Sequence, residues 1–304
     1  MENDERTGFL GLAESDEGPW NVVILPIPFE MTTSWIEGTR MGPSACIDAS
    51  SQVELYDPLL PEELPCGLSF HTAEPWSSEA GTLMEQLDSI REYFSEWVGE
   101  IFPMILGGEH GILPPIMKAL SNHPELLGDL SRLTLIQIDA HADLRDELDG
   151  EPYSHACAIA RSLDEGALAV HQVGIRAYCR QEANRIENDH RIHTWFARDI
   201  MSPCTGSKAW SGWLESIKNI DGPVHLTVDI DGLDGALVPA TGTPVPGGLT
   251  FWHAVETIET VFANCQVISA DVNEIVPQVE TPLTQFTAAM IATKIAAAHI
   301  ATLR

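Results

Sequence analysis

The chain is poor in positive charge. Its 304 residues carry 16 Lys and Arg against 45 Asp and Glu, a formal net charge of −29. A field of that sign repels phosphate backbones and anionic membrane surfaces, which excludes nucleic acid and lipid headgroups as partners. It draws divalent metals and small cations instead, although solubility or adaptation to salt accounts for such a charge equally well. Cysteine is also sparse. The six (Cys46, Cys66, Cys157, Cys179, Cys204 and Cys265) are scattered, with no C-x-x-C pair, so the sequence encodes no disulfide framework, and reduced, mostly buried thiols are expected. No uncharged apolar stretch reaches the roughly 18 residues of a membrane span, and the acidic start Met1-Glu-Asn-Asp-Glu-Arg6 lacks the basic and apolar segments of a secretion signal. Internal repeats, low-complexity tracts and glycine-serine linkers are missing, as are a phosphate-loop lysine and a G-x-G-x-x-G after a strand. A cytoplasmic protein that binds no nucleotide is expected.

What is there is a succession of short apolar runs separated by helical stretches. Residues 1–20 are polar and acidic and read as a flexible arm, with only Phe9, Leu10 and Trp20 to anchor it; residues 21–304 read as a single domain. Strands are expected at residues 21–28, 66–72, 102–106, 133–139, 169–174, 191–194, 223–229 and 265–271. Helices are expected at 43–51, opened by Pro43, and at 79–99, where Leu83, Leu87, Ile90 and Phe94 recur at helical spacing. Two more are expected at 251–264 and 284–302. Continuous apolar strands alternating with helices, rather than hairpins, predict an α/β domain with a parallel sheet covered on both faces.

Three of these strands end in groups that bind metals. Residues 133–139 run into Asp139, His141 and Asp143, and side chains at i, i+2 and i+4 of an extended chain share one face. His110 follows Gly107-Gly108, a pair that permits a tight turn, and Asp229 and Asp231 close the strand at 223–229. Parallel sheets bind ligands at the carboxyl ends of strands, beside a change in strand order, so the three segments are expected to meet. A lone aspartate at a strand end is ordinarily a cap. Four carboxylates with two imidazoles, however, exceed the needs of one tetrahedral zinc and lack the thiolates of a structural site. Two ions are expected. Hard oxygen ligands with some nitrogen favour manganese, with nickel, cobalt or zinc compatible. Such a pair lowers the pKa of a bridged water and so supplies a nucleophile at neutral pH. Taken alone, His155 reads as readily as an interior histidine as a functional one, Glu274 as a helix cap or ion-pair partner, and His225 in mid-strand and His253 on a helix need no special role.

With these residues in view, the chain resembles the ureohydrolase (arginase and agmatinase) family from about Val22 to Ile300. Gly-Gly-Glu-His-Gly, Asp-Ala-His-Ala-Asp-Leu-Arg, Tyr-Ser-His-Ala, Asp-Ile-Asp-Gly-Leu-Asp and Gly-Thr-Pro-Val-Pro-Gly-Gly-Leu-Thr occur in that family's order. The resemblance implies a three-layer α-β-α fold with an eight-stranded parallel sheet, two manganese ions per chain and hydrolysis of a guanidino group to urea and an amine. It also implies a homo-oligomer, trimer or hexamer. At matching positions it implies that His110, Asp139, Asp143 and Asp229 hold one ion and that His141, Asp139, Asp229 and Asp231 hold the other. Asp143 would also orient the nucleophile, His155 would move a proton, and Glu274 would pair with the substrate guanidinium.

Residues 144–154 lack the asparagine and serine set that grips an amino acid's carboxylate in arginases; the segment is acidic, similar to that of many agmatinases. The expected substrate is therefore agmatine or aminopropylagmatine over arginine. Arg145 keeps guanidinobutyrate, guanidinopropionate or formiminoglutamate as alternatives unless an acid occupies it, and a catalytically silent binding paralogue is the remaining alternative. Two positions depart from the family pattern: Asp234-Gly235 stands where aspartate-proline is usual, and Glu274-Ile-Val-Pro277 replaces glutamate-valine-asparagine-proline.

Overall fold

The structure is a computed structural model that describes residues 8–12 and 18–304. In chain order its elements are β1 (Val22–Ile27), α1 (Gly42–Ser50), β2 (Phe70–Thr72), α2 (Leu83–Ser95), β3 (Phe102–Gly107), α3 (Leu113–Leu120) and β4 (Thr134–Ile138). There follow α4 (Ala158–Asp164), β5 (Ala169–Ile175), α5 (Arg180–Asn188), β6 (Ile192–Phe196), α6 (Ala197–Ile200), α7 (Gly206–Lys218) and β7 (Pro223–Asp229). The chain closes with α8 (Phe251–Asn264), β8 (Gln266–Asn273) and α9 (Leu283–Thr302). The eight strands form one sheet in the order β2-β1-β3-β8-β7-β4-β5-β6, with every pairing parallel.

The expected three layers follow from alternation along the strands. On β1, Val22 and Ile24 face the apolar layer that also holds Cys46 of α1, Trp213 of α7 and the apolar faces of α8 and α9. Val23, Leu25 and Ile27 face the opposite layer, with Ile90 and Phe94 of α2, Ile116 of α3 and Ile159 of α4. Among the described residues all six cysteines are free. None of the described helices is long and apolar enough to cross a membrane.

β7 and α8 keep the boundaries read from sequence; other elements move for identifiable reasons. The strand expected at 66–72 shrinks to Phe70–Thr72 because Cys66 (φ 56°) and Gly67 (φ 75°) are left-handed, which no strand accommodates. The helix expected at 79–99 begins only at Leu83, where Thr82 and Glu85 form a reciprocal cap. Part of the expected arm is pinned: Phe9 and Leu10 are buried, and their N–H groups donate to Thr72 Oγ1 (2.9 Å) and Ser50 Oγ (2.8 Å). Residues 1–7 and 13–17 of that arm lie outside the described residues. Gly108 is needed for close packing rather than for a turn, since a Cβ there would stand 2.0 Å from the Phe29 carbonyl oxygen.

Candidate metal centre and its cavity

The neighbouring strands β3, β8, β7 and β4 all end on one side of the sheet, and a candidate residue follows or closes each. His110 lies after β3, Glu274 after β8, Asp229 at the end of β7 and Asp139 after β4. His110 Nδ1 is 3.0 Å from Asp143 Oδ2, 3.2 Å from Asp139 Oδ2 and 3.7 Å from Asp229 Oδ2. His141 Nδ1 is 3.0 Å from Asp231 Oδ2 and 3.7 Å from Asp139 Oδ1. All six side chains singled out as ligands therefore converge. Ligand atoms of His110, Asp139 and Asp229, and of Asp139, His141 and Asp231, lie within 4.8 Å of one another, with Asp139 common to both groups. Asp229 enters the first of these groups and not the second. The extended i, i+2, i+4 picture fails at Asp143, whose left-handed backbone (φ 52°) brings its carboxylate to His110 by a bend instead.

The chemistry of this cluster fits divalent cations. His110 Nδ1, for all its carboxylate neighbours, is a buried atom without a properly directed hydrogen bond. The ring is fixed from behind. Its Nε2 is 2.8 Å from Thr227 Oγ1, and the Thr227 hydroxyl donates to Asp271 Oδ1 at 2.6 Å. Asp271 is further held by Asn273 Nδ2 at 2.5 Å and His225 Nε2 at 2.7 Å. A hydroxyl has one proton, so Thr227 can only accept from His110 Nε2–H, and the lone pair of the neutral ring sits on Nδ1 among carboxylate oxygens. Asp139 is oriented likewise, accepting from Gln137 Nε2 at 2.7 Å and from the His141 N–H at 2.6 Å.

Without a cation the cluster holds protons. Burial and the Asp143 charge push Asp139 up to about 7, and burial with the Asp231 charge pushes Asp229 well above the carboxylate range. Burial acts upward on Asp231 too, but the neighbouring His141 outweighs it and brings Asp231 down to about 2. For the imidazoles burial acts downward; the carboxylates prevail and raise His110 well above its usual range and His141 to about 10.

Of the cluster, His110, His141, Asp143 and Asp229 line a cavity of about 370 Å³, shared with Ser34, His155 and Glu274. Glu274 is buried and left-handed (φ 65°), a conformation that costs a non-glycine residue of order 1–3 kcal/mol. Two hydrogen bonds hold it: its N–H donates to the Gly108 carbonyl (2.8 Å), and its Oε1 accepts from the His110 N–H (2.8 Å). Burial raises its carboxyl to about 8. His155 opens a short 3-10 turn, with its N–H donating to Thr32 Oγ1 at 2.9 Å.

Arg145, Leu148, Tyr178 and Glu182 also line the cavity, whereas the acids at 146–151 do not. Asp146 pairs instead with Arg185 and Gln181. Arg145 Nε is 3.8 Å from Glu182 Oε2, beyond hydrogen-bond range. Glu182 is taken up by the Leu144 (3.1 Å) and Cys179 (2.7 Å) N–H groups. Asp234, one of the departures from the family pattern, accepts from the N–H groups of Gly247 and Gly248 and so ties the loop whose Thr243 reaches the cavity. Sequence reasoning missed Thr32, Glu109, Thr227 and Asp271, which carry no ligand spacing; for Glu109 the one signal was its place inside Gly-Gly-Glu-His.

A parallel α/β sheet carrying an imidazole-carboxylate cluster beside a cavity is the build of a metal-dependent hydrolase. The model described as the arginase family matches residues 20–298, and the chain belongs to this family. It is 34% identical over 288 residues to the N(1)-aminopropylagmatine ureohydrolase of Synechocystis sp., covering 90% of this chain and 87% of that one. With the agmatinase of Bacillus cereus it shares 33% identity over 261 residues, 84% of this chain and 83% of the relative. Among solved structures, a hypothetical agmatinase from Burkholderia thailandensis superposes with a TM-score of 0.81 at 25% identity, over 96% of this chain and 90% of that one. The expected arginase-like fold is thus the observed one.

Proposed function

We propose that the protein hydrolyses a guanidino compound with a cationic tail, agmatine or aminopropylagmatine, to urea and an amine, using two manganese ions. The observation that carries this reading is the double cluster around Asp139, whose His110, His141 and Asp229 line the same cavity as Glu274 and His155. His110, Asp139, Asp143 and Asp229 would hold one ion, and His141, Asp139, Asp229 and Asp231 would hold the other. When bound, such ions acidify a water and so provide a nucleophile at neutral pH.

The remaining work falls to side chains. Glu274 receives the planar guanidinium through paired hydrogen bonds, and its anionic form is favoured once that cation is beside it. Asp143 orients the attacking water. His155 gives the departing amine its proton, a role suited to an imidazole. The names of the similar ureohydrolases support the substrate class, and the same reading carries a cytoplasmic homo-oligomer, trimer or hexamer. A second reading, a guanidino acid such as guanidinobutyrate, is favoured by Arg145, which lines the cavity and meets Glu182 only across a long ion pair of 3.8 Å. Urea release from a panel of guanidino compounds by the manganese-loaded protein tests both. Agmatine or aminopropylagmatine should lead; urea from arginine alone, or from no compound, refutes the proposal.

A further inference from the structure

Glu109 stands beside His110, yet its carboxylate turns into the loop after β1. It is buried and accepts from the Met31 N–H at 2.9 Å and the Thr32 N–H at 2.8 Å. The Thr32 hydroxyl donates to its other oxygen at 2.7 Å. That donation uses the only proton Thr32 Oγ1 has, so the oxygen can act toward other groups only as an acceptor. Two groups of His155 face it: the backbone N–H at 2.9 Å and ring Nδ1 at 3.2 Å. Nδ1 must therefore carry a proton. Ser154 Oγ, 3.4 Å from Nδ1, is a free rotor that also accepts, and it does not oppose this assignment. Among the described residues the remaining nitrogen, Nε2, has the Ser34 hydroxyl alone, at 3.5 Å, and His155 lines the cavity.

We infer that Thr32, backed by Glu109, is a positioning residue that fixes the His155 ring with Nε2 as the nitrogen serving the substrate. This rests on the reading of His155 as proton donor. The hydroxyl between carboxylate and imidazole does what a directly bonded carboxylate does elsewhere: it sets which ring nitrogen exchanges protons and holds the ring in place. In the protonated ring Nδ1–H stays on Thr32, and the proton passed to the departing amine leaves from Nε2, which regains it from solvent.

The test compares wild type with His155→Asn, Thr32→Val and Thr32→Ser in the manganese-loaded protein. Thr32→Val should lower kcat by about 10- to 100-fold, the range set by losing the orientation of one acid-base group, with KM within about twofold and metal content unchanged. Thr32→Ser, which keeps the hydroxyl, should recover kcat to within about threefold. Wild-type kcat in Thr32→Val, where His155→Asn is impaired, overturns the inference and leaves the function standing. A wild type that releases no urea fails the function instead. Independently of any variant, ¹⁵N spectra of the zinc-loaded protein with labelled histidine should show the neutral His155 ring protonated at Nδ1; protonation at Nε2 overturns the inference.

Discussion

Replacing Asp139 by asparagine removes one charge and changes no volume, which makes it a sharp probe of the cluster. Asp139 is fully buried and accepts from two donors, Gln137 Nε2 and the His141 N–H, one on each oxygen. A carboxamide has one acceptor oxygen, so either orientation sets its NH₂ against one of those donors, at a cost of about 1–3 kcal/mol for the unpaired group. Against this, the metal-free protein already resists the Asp139 charge, since burial and Asp143 raise its pKa to about 7. Relief of that repulsion offsets part of the lost hydrogen bond, and the metal-free fold should change by no more than about 2 kcal/mol. Metal binding should change far more. Losing an outer-shell partner costs about 10- to 100-fold in affinity or activity, and a ligand shared by both ions should exceed that, leaving under about 1% of wild-type urea production. Thermal unfolding of the chelated protein, metal content and urea assay separate the two effects. Unchanged urea production, or two tightly held ions in Asp139→Asn, would refute the reasoning.

Glu274→Gln keeps an acceptor for the His110 N–H but loses a charge-assisted contact with the guanidinium, about 1.5–3 kcal/mol, so kcat/KM should fall about 10- to 150-fold with metal content unchanged. An unaltered kcat/KM would remove Glu274 from the binding site. Metal uptake at pH 7 should release protons, because His141, raised to about 10, and His110, raised well above its usual range, must be deprotonated to bind. Affinity then rises with pH, and calorimetric heats at neutral pH should depend on the buffer's ionisation enthalpy; identical heats would contradict the cluster's protonation. In the metal-free fold, Asp139 binds more protons folded than unfolded between pH 3.8 and about 7. Its contribution to stability is therefore complete below that window and is lost as pH rises through it, a slope that chelated protein should show and loaded protein should lack. Arg145→Ala should leave agmatine hydrolysis at least as fast and lower that of guanidinobutyrate by about tenfold or more, the loss of one charge-assisted contact. A selective loss of agmatine activity would reverse the substrate assignment.

How far the sequence carries depends on what each feature needs. β7 and α8 were legible to the residue because an apolar run ending in Asp229, and a helical stretch set between two apolar runs, are local signals. The convergence of the six candidate side chains was legible because strand ends in a parallel sheet are brought to one edge. Cys66 and Asp143 defeated extended-chain reasoning, since a left-handed φ at a non-glycine residue leaves no mark in composition. Thr82-x-x-Glu85 was a readable start signal that the broader apolar stripe obscured. The groups behind the cluster were not legible at all. Thr227 and Asp271 lie 44 residues apart on paired strands, and their contact exists only once β7 and β8 are adjacent. The acidic segment after Asp143 shows the opposite failure: its charges are real, but Asp146 turns to Arg185, and the carboxylate beside Arg145 at the cavity wall is Glu182 of α5.

The account stands most directly on what the cluster around Asp139 holds. Anomalous scattering from crystals of the manganese-loaded protein should show two peaks per chain, one against His110 and Asp143, the other against His141 and Asp231, with Asp139 touching both. A single peak, or peaks elsewhere with this cluster vacant, would contradict it.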